Sequence, residues 1–494
     1  MTNGFHPLWE IVIIGISLIT DNKILKLDIA FAVQQIFFLI ICCLLLKIGK
    51  ILNMKYLWLS FPFLATYFLS IGVYLSECHI YSLMLSLFLY YILKNKYEFN
   101  LKNSFIVGIL LGFTFLSRLD SIFLLIAFIS ISLITGFINN KSDLLQNNMP
   151  AKSPKSILLL KIFDFNIYSK LLVTVLGFLL IASPYLIFNK IYFGHFEPIS
   201  GKIKSTFPEL ISNFNGLGSL GKISFYISLV TLIYSFAEKE IFRKQLLRIL
   251  GLQTFLLCVY VAAFTNHTTH WAWYYVPGIF SGAFLIAIFA EKVNNFMIKW
   301  IKNSAFVLIL PYLFFVFISF LGISRAWSEY FNPDAGGLNP FNFKSTLNEK
   351  WQIEVANKLK LMVPEDSKIA IWDWPGYLSY YSDLNFVSFD GLTCDYNYNK
   401  NILGLGIYEF LKRNNINYYI GLYSDSLQMD NLPQPYFRSE NHFTGNGQQI
   451  KVVSPIEKSY VGYFNIKDSN LIIKFSDITK NLNIKDVGLW KLEF

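Results

Sequence analysis

Hydrophobic and polar positions fall along this chain in long blocks. Apolar runs of helical length recur through residues 1–322 and then stop. A helix needs about 20 apolar residues to cross hydrocarbon. Candidate spans lie at 27–46, 56–75, 79–93, 104–116 with 121–137, 171–188, 223–236, 250–264, 272–290 and 305–321. The run 104–137 is too long for one pass and is broken by Ser117-Arg118-Leu119-Asp120, so it is read as two passes meeting at a bend. The pattern therefore predicts about ten spans. Residues 10–20 are apolar but too short to cross, and predict an interfacial or re-entrant helix.

Beyond residue 322 the period changes. Residues 344–362 read as an amphipathic helix, 368–372 and 385–389 as short buried strands, and 402–414 as a helix leading to a strand at 418–422. Short strands follow at 452–454, 460–466 and 470–475. Strands alternating with helices predict a small α/β domain. The expected fold is a polytopic α-helical membrane protein with a C-terminal extracytoplasmic α/β domain, divided as 1–26, 27–322 and 323–494.

Composition supports this division. Of 494 residues, 54% are hydrophobic and 15% charged, and mean hydropathy is +0.45. The net charge of +10 resides largely in lysines between apolar segments. That placement fits the excess of Lys and Arg in cytoplasmic loops better than nucleic-acid binding, for which no motif is present. The clusters are Lys47/Lys50/Lys55, Lys94/Lys96/Lys102, Lys141/Lys152/Lys155/Lys161, Lys239/Arg243/Lys244/Arg248 and Lys292/Lys299/Lys302. All fall on one side, taken as cytoplasmic. The other side receives residues 76–78, 118–120, 193–204, 266–271 and everything after 322. Met1 lies there too, with no helix before it, so the natural start is expected upstream. Cys42, Cys43 and Cys258 sit in apolar segments, leaving Cys78 and Cys394 as the two able to face an oxidising compartment. No phosphate-binding loop, Gly-x-Ser-x-Gly, metal-ligand spacing or dinucleotide fingerprint is present. No cofactor is expected.

Polar groups at membrane depth or at its outer rim are functional candidates, because they are costly there. Arg118 and Asp120 form one pair at the bend; the alternative is a neutral structural ion pair. Glu77 and His79 sit at an outer turn, where the carboxylate would act as a base or the pair would simply be solvated. His267, His270, Trp271, Trp273, Tyr274 and Tyr275 suggest either a sugar-stacking wall or an interfacial aromatic belt. Lys202 and Lys204 follow the Pro198–Gly201 turn, which is read as placing them. They would hold a lipid phosphate or merely touch headgroups, and Lys202, next to the turn, is favoured. Asp373 and Asp390 follow strand ends, as ligand groups or as caps.

Five stretches resemble, in order, segments of the GT-C glycosyltransferase superfamily, which includes protein O-mannosyltransferases and lipid A aminoarabinose transferases. They are TNGFHPLW (2–9), GILLGFTFLSRLDSIFLL (108–125), NKIYFGHFEPISGKIKS (189–205), HWAWYYVP (270–277) and IWDWPGYLSYYSDLNFVSFDGL (371–392). The resemblance implies sugar transfer from a polyprenyl-phosphate donor, without a nucleotide, at the outer face of a bacterial plasma membrane. The acceptor would be a glycan, lipid or protein. It implies Lys202, Lys204 and Arg118 at the donor phosphate, and His6, Asp120, His270, Trp273 and Tyr274 around substrate. Residues 1–26 then correspond to the end of the family's first extracytoplasmic loop. The family's acidic catalytic residue lies upstream of the TNGFHPLW segment, so the sequence given is expected to lack it, and Glu77 is the remaining candidate base. An O-antigen ligase or polymerase would place its large outer loop internally. A transporter or flippase of lipid-linked glycans would show inverted repeats, and none is found.

Overall fold

The structure is a computed structural model. It describes residues 6–72, 75–97, 100–146, 165–265, 272–300, 347–371, 376–389, 396–422, 442–444, 447–453, 460–466, 470–475 and 487–494, with Leu313, Phe317 and Cys394. The expected span 305–321, apart from Leu313 and Phe317, lies outside these residues, as do His267, His270, Trp271, Asp373 and Asp390.

The described residues up to Trp300 are mainly helical. Helix α1 (Pro7–Ser17) starts with proline in its first turn, where the missing N–H has no intrahelical partner to lose. Helix α2 (Lys23–Ile51) is capped by the Asn22 side chain, which accepts from the backbone of Ile24 and Leu25. A 3-10 turn (Leu57–Ser60) leads into α3 (Phe61–Gly72), followed by α4 (Cys78–Lys94), α5 (Leu101–Ser117) and α6 (Ile122–Gln146). Then come α7 (Phe165–Phe193), the short α8 (Ile199–Lys204), α9 (Gly218–Ala237), α10 (Ile241–Phe264) and α11 (Val276–Trp300). One buried cluster runs through the bundle, with Ile41 and Leu45 of α2, Phe68 of α3, Tyr81 and Phe88 of α4, Leu250 of α10 and Phe284 of α11.

Five helices are long and apolar enough to cross a membrane: α2, α7, and those containing 214–237, 241–264 and 273–296. The most apolar windows of α2, α7 and α9 are each only 28% buried. Leu172, Leu176, Leu180, Ile223, Val230 and Ile233 stand exposed on them. A continuous exposed aliphatic surface is favourable against lipid and not against water. Of the expected count of about ten spans, five are long and apolar enough by this measure among the described residues, and shorter apolar helices lie at 57–69, 78–94, 101–117 and 119–135. Helices α4 and α5, counted as full spans from sequence, have 17 residues each. At about 1.5 Å per residue they reach roughly 25 Å, at the short end of what crosses a hydrocarbon core of about 30 Å.

Helices α5 and α7 approach closely through glycine. A Cβ at Gly108 would sit 2.1 Å from the Thr174 backbone oxygen, and one at Gly177 would sit 2.5 Å from that of Phe105. Such backbone contact between membrane helices requires small residues. It holds α5, which leads to Arg118, against α7, which leads to α8.

The two ends of the bundle differ. At one end, Lys47 and Lys94 both lie over the Tyr90 ring, and Arg243 donates to the backbone oxygens of Leu52 and Asn53 and pairs with Glu291. Tyr97, between α4 and α5, stacks on Phe242 at the start of α10. Lys47, Lys94 and Arg243, from three of the basic clusters, thus share one end of the bundle. The α3–α4, α5–α6 and α7–α8 connections are at the opposite end.

The C-terminal unit contains α12 (Leu347–Met362), α13 (Gly376–Ser382), α14 (Tyr396–Leu405) and α15 (Ile407–Arg413). Strands β1 (Lys368–Ile371), β2 (Asn385–Ser388) and β3 (Tyr418–Leu422) are parallel neighbours, with Ile369 opposite Phe386 and Tyr418. The sheet continues antiparallel through the last strand, Val487–Lys491, to Leu471–Lys474. A second sheet pairs His442–Thr444, Gly447–Val453 and Tyr460–Ile466. The helix expected over 402–414 is two helices, because Gly406 takes φ 74 and breaks it.

This unit sits on the end of the bundle opposite the basic clusters. Lys23 Nζ donates to the Tyr380 backbone oxygen at 2.5 Å and to Asp383 Oδ1 at 2.6 Å, while the Tyr380 hydroxyl donates to the Lys23 backbone oxygen. A second contact stacks His195 on Tyr396 with ring centroids 3.8 Å apart, and the Tyr396 hydroxyl donates to the Glu197 backbone oxygen.

Candidate functional site

The site is built around the bend after α5. Arg118 leaves the helix with extended backbone, so its side chain turns back toward the α3–α4 connection. It is 2% exposed, and a charge so placed needs full pairing. Its Nη1 donates to Glu77 Oε1 at 2.5 Å, and its Nε and Nη2 donate to Asp120 Oδ1 and Oδ2 at 2.8 Å each. Its guanidinium lies over the Tyr274 ring, 4.4 Å from the centroid. Both carboxylates and one aromatic face are therefore arranged around a single cation.

Two more groups join. His6 Nε2 lies 3.4 Å from Glu77 Oε1. Lys204 Nζ donates to the Tyr274 hydroxyl at 3.0 Å. Burial works against the Glu77 charge, but the neighbouring His6, Arg118 and Lys204 hold its carboxyl below the ordinary value. Burial also lowers the basicity of His6, with Arg118 and Lys204 adding to it and Glu77 and Asp120 opposing.

Local sequence explains the placement. In α8, Ile199 and Ile203 are four residues apart, share a face and are buried. Lys202 and Lys204 then project from opposite flanks of that face. Lys204 meets Tyr274, while Lys202 is exposed. The backbone after Lys204 is fixed by a bridge between Ser205 and Thr265 and by Thr206 donating to the Phe264 oxygen. Tyr274 lies in a 3-10 turn (Ala272–Tyr275), where Tyr275 is anchored by its hydroxyl donating to the Leu217 oxygen. The Trp273 oxygen accepts from Cys78 Sγ, tying this turn to the start of α4. The indole of Trp9 donates to the Leu75 oxygen and Gln34 to the Ser76 oxygen, so α1 and α2 hold the turn bearing Glu77.

The structure thus brings together His6, Glu77, Arg118, Asp120, Tyr274 and Lys204, separated by as many as 268 positions in the chain. It does not bring Lys202 to them. His79, the second residue of α4, is buried against Phe68 instead of joining Glu77. The expected Pro198–Gly201 turn is α8 itself: Gly201 is helical, and a Cβ there would meet open space. The glycine that needs its freedom is Gly194, at φ 78. Of the two cysteines able to face an oxidising compartment, Cys78 is buried and Cys394 is half-buried; both are free thiols. The role of Tyr274 in bridging two cations is visible from sequence only as an aromatic run.

No family model matches the chain, and no curated protein matches it. Solved structures of the Archaeoglobus fulgidus oligosaccharyltransferase are similar to it over 85% of its length. One, tethered by a disulfide to an acceptor peptide with the NVT sequon, has a TM-score of 0.46 at 12% identity. The apo form gives 0.41 at 11% identity. The complex with an inhibitory peptide and a dolichol-phosphate gives 0.42 at 12% identity. The chain spans 61–62% of the length of these neighbours.

Proposed function

We propose that the chain is a membrane glycosyltransferase that moves a sugar from a polyprenyl-phosphate donor to a hydroxyl-bearing acceptor. The acceptor would be a glycan, lipid or protein. The reaction takes place at the end of the bundle bearing Glu77. That end and the C-terminal sheet unit face the extracytoplasmic side of a bacterial plasma membrane, because the basic clusters gather at the other end.

The observation that carries this reading is the pairing of charges around Arg118. Arg118 is committed to Glu77 and Asp120, so it fixes the site and is not free to leave them for a phosphate. Lys204 is half-buried beside it and, among the described residues, has no carboxylate partner. A lysine so placed suits a phosphate as a compact point charge. As the bond from sugar to phosphate breaks, negative charge grows on the phosphate, and a fixed cation in a shielded site stabilises that charge. The test is direct. Full-length protein in proteoliposomes is given a polyprenyl-phosphate sugar, and release of polyprenyl phosphate is followed. Release that depends on Lys204 supports the reading, and absence of release by the wild-type protein across hexosyl and pentosyl donors removes it.

A further inference from the structure

We infer that His6 is the proton acceptor for the incoming hydroxyl, and that Glu77 is the positioning residue that orients its ring. This rests on the reading of the site as a sugar-phosphate transferase. A neutral imidazole has one N–H and one lone pair. His6 Nε2 faces Glu77 Oε1 at 3.4 Å, while Nδ1 is buried and has no hydrogen-bond partner among the described residues. With the proton on Nε2 toward the carboxylate, the lone pair is on Nδ1. A carboxylate on one ring nitrogen fixes the tautomer in this way. An acceptor hydroxyl would then supply the partner that Nδ1 lacks.

Glu77 is poorly suited to take the proton itself. The oxygen that faces His6 also receives Arg118 Nη1, and the surrounding cations hold the carboxyl ionised. The charged groups facing His6 are Glu77, Arg118, Asp120 and Lys204, and with burial they leave the imidazole less basic than usual. It is therefore neutral, and able to accept a proton, at physiological pH, where the charges that keep Glu77 ionised are those of Arg118 and Lys204. In the step, the acceptor O–H proton moves to Nδ1 and the oxygen forms a bond to the anomeric carbon. The bond from that carbon to the phosphate oxygen breaks, and its electron pair stays on the phosphate facing Lys204. The imidazolium then returns its proton to water.

The experiment measures transfer from a polyprenyl-phosphate sugar against pH for wild type, His6→Gln, His6→Ala and Glu77→Gln, with melting temperature and donor KM as checks on folding and binding. His6→Gln is expected to lower kcat by about 10²–10⁴-fold with KM little changed, and to abolish the acidic limb of the profile. Added imidazole is expected to restore part of the His6→Ala activity. Glu77→Gln keeps an acidic limb but moves it to lower pH, because the Glu77 charge raises the His6 value. An acidic limb that persists in His6→Gln, or no imidazole rescue in a folded His6→Ala protein, overturns the inference. If the wild-type protein itself releases no polyprenyl phosphate, the proposed function and this inference fall together. If wild type and His6→Gln turn over alike, only the inference falls.

Discussion

Lys204 and Arg118 lie on the same aromatic side chain: Lys204 donates to the Tyr274 hydroxyl at 3.0 Å, and the Arg118 guanidinium covers the ring at 4.4 Å. The two cations differ in freedom. Arg118 is buried and held by two carboxylates, whereas Lys204 has only a neutral hydroxyl partner among the described residues. Lys204→Ala is therefore expected to lower donor turnover by about 10²-fold, in the range for losing one preorganised charge-stabilising donor. Lys202→Ala, at an exposed position across α8, is expected to change turnover little. Steady-state kinetics on the two single variants separates them, and equal losses would show that position on α8 does not matter.

Arg118→Ala has a different expected outcome. Removing the buried cation leaves Glu77 and Asp120 facing each other without compensation, which is destabilising by about 3–5 kcal/mol for a buried pair. The melting temperature in detergent is expected to fall clearly, unlike that of Lys204→Ala. A fully stable Arg118→Ala protein would mean that water reaches both carboxylates.

Much of this arrangement was legible in the sequence, but unevenly. The apolar runs marked most helices, since their period and length are local properties. The break at Ser117–Asp120 was visible as charge inside an apolar stretch. Strands β1 to β3 followed from short buried runs. The strand Val487–Lys491 was missed although it lies between β3 and Leu471–Lys474, because the four residues VGLW between Asp486 and Lys491 are too short a run to stand out. Lys202, favoured from the sequence, is exposed while Lys204 meets Tyr274: the segment was read as a turn, and the facing of two lysines depends on the helix that Ile199 and Ile203 anchor. The pairing of His6 with Glu77 is a contact across 71 positions, which no local pattern encodes.

The α5–α7 contact predicts an asymmetry between glycines. Gly108→Ala places a methyl against the Thr174 backbone oxygen, which has no rotamer by which to retreat. The helices must separate, at an expected cost of about 1–3 kcal/mol. Gly15→Ala in α1 meets nothing within 4 Å. It is expected to be neutral or stabilising by up to about 1 kcal/mol through helix propensity. Melting in detergent compares them, and equal effects would show that α5 and α7 are not in backbone contact.

The docking of the C-terminal unit on α2 is expected to weaken in acid. Asp383 accepts from Lys23 and Lys360, and these bonds hold its carboxyl below its ordinary value of 3.8. Since the folded value is the lower one, the stabilisation is complete above the ordinary carboxylate range and is lost as pH falls through the folded value. The pair is exposed, so its contribution is about 0–1 kcal/mol and is screened by salt. Asp383→Asn is expected to reproduce the acid effect at neutral pH. Limited proteolysis reads the docking, and identical protection of wild type and Asp383→Asn at all pH values would place the docking energy in the Tyr380 and His195 contacts instead.

The last prediction concerns sidedness, on which the proposed function depends. Lys202 is exposed at the end bearing Glu77, and Lys96 is exposed at the end where Lys47, Lys94 and Arg243 gather. In the proposed orientation, an excess of Lys and Arg on the cytoplasmic side puts the second end inside. Lys202→Cys should therefore react with a membrane-impermeant maleimide added to intact cells, and Lys96→Cys should react only after permeabilisation. The native cysteines do not confuse the result: Cys78 and Cys258 are buried, and Cys42 and Cys43 lie within the long apolar helix α2, where an impermeant reagent has no access. Cys394 is half-buried in the C-terminal unit, so a Cys394→Ser background removes its label. Neither substitution disturbs the Arg118 cluster, since neither lysine touches it, so the labelled proteins retain their fold. Labelling of Lys96→Cys and not of Lys202→Cys in intact cells would invert the molecule. The Glu77 end would then face the cytoplasm, and a donor presented at the outer leaflet could not reach Lys204.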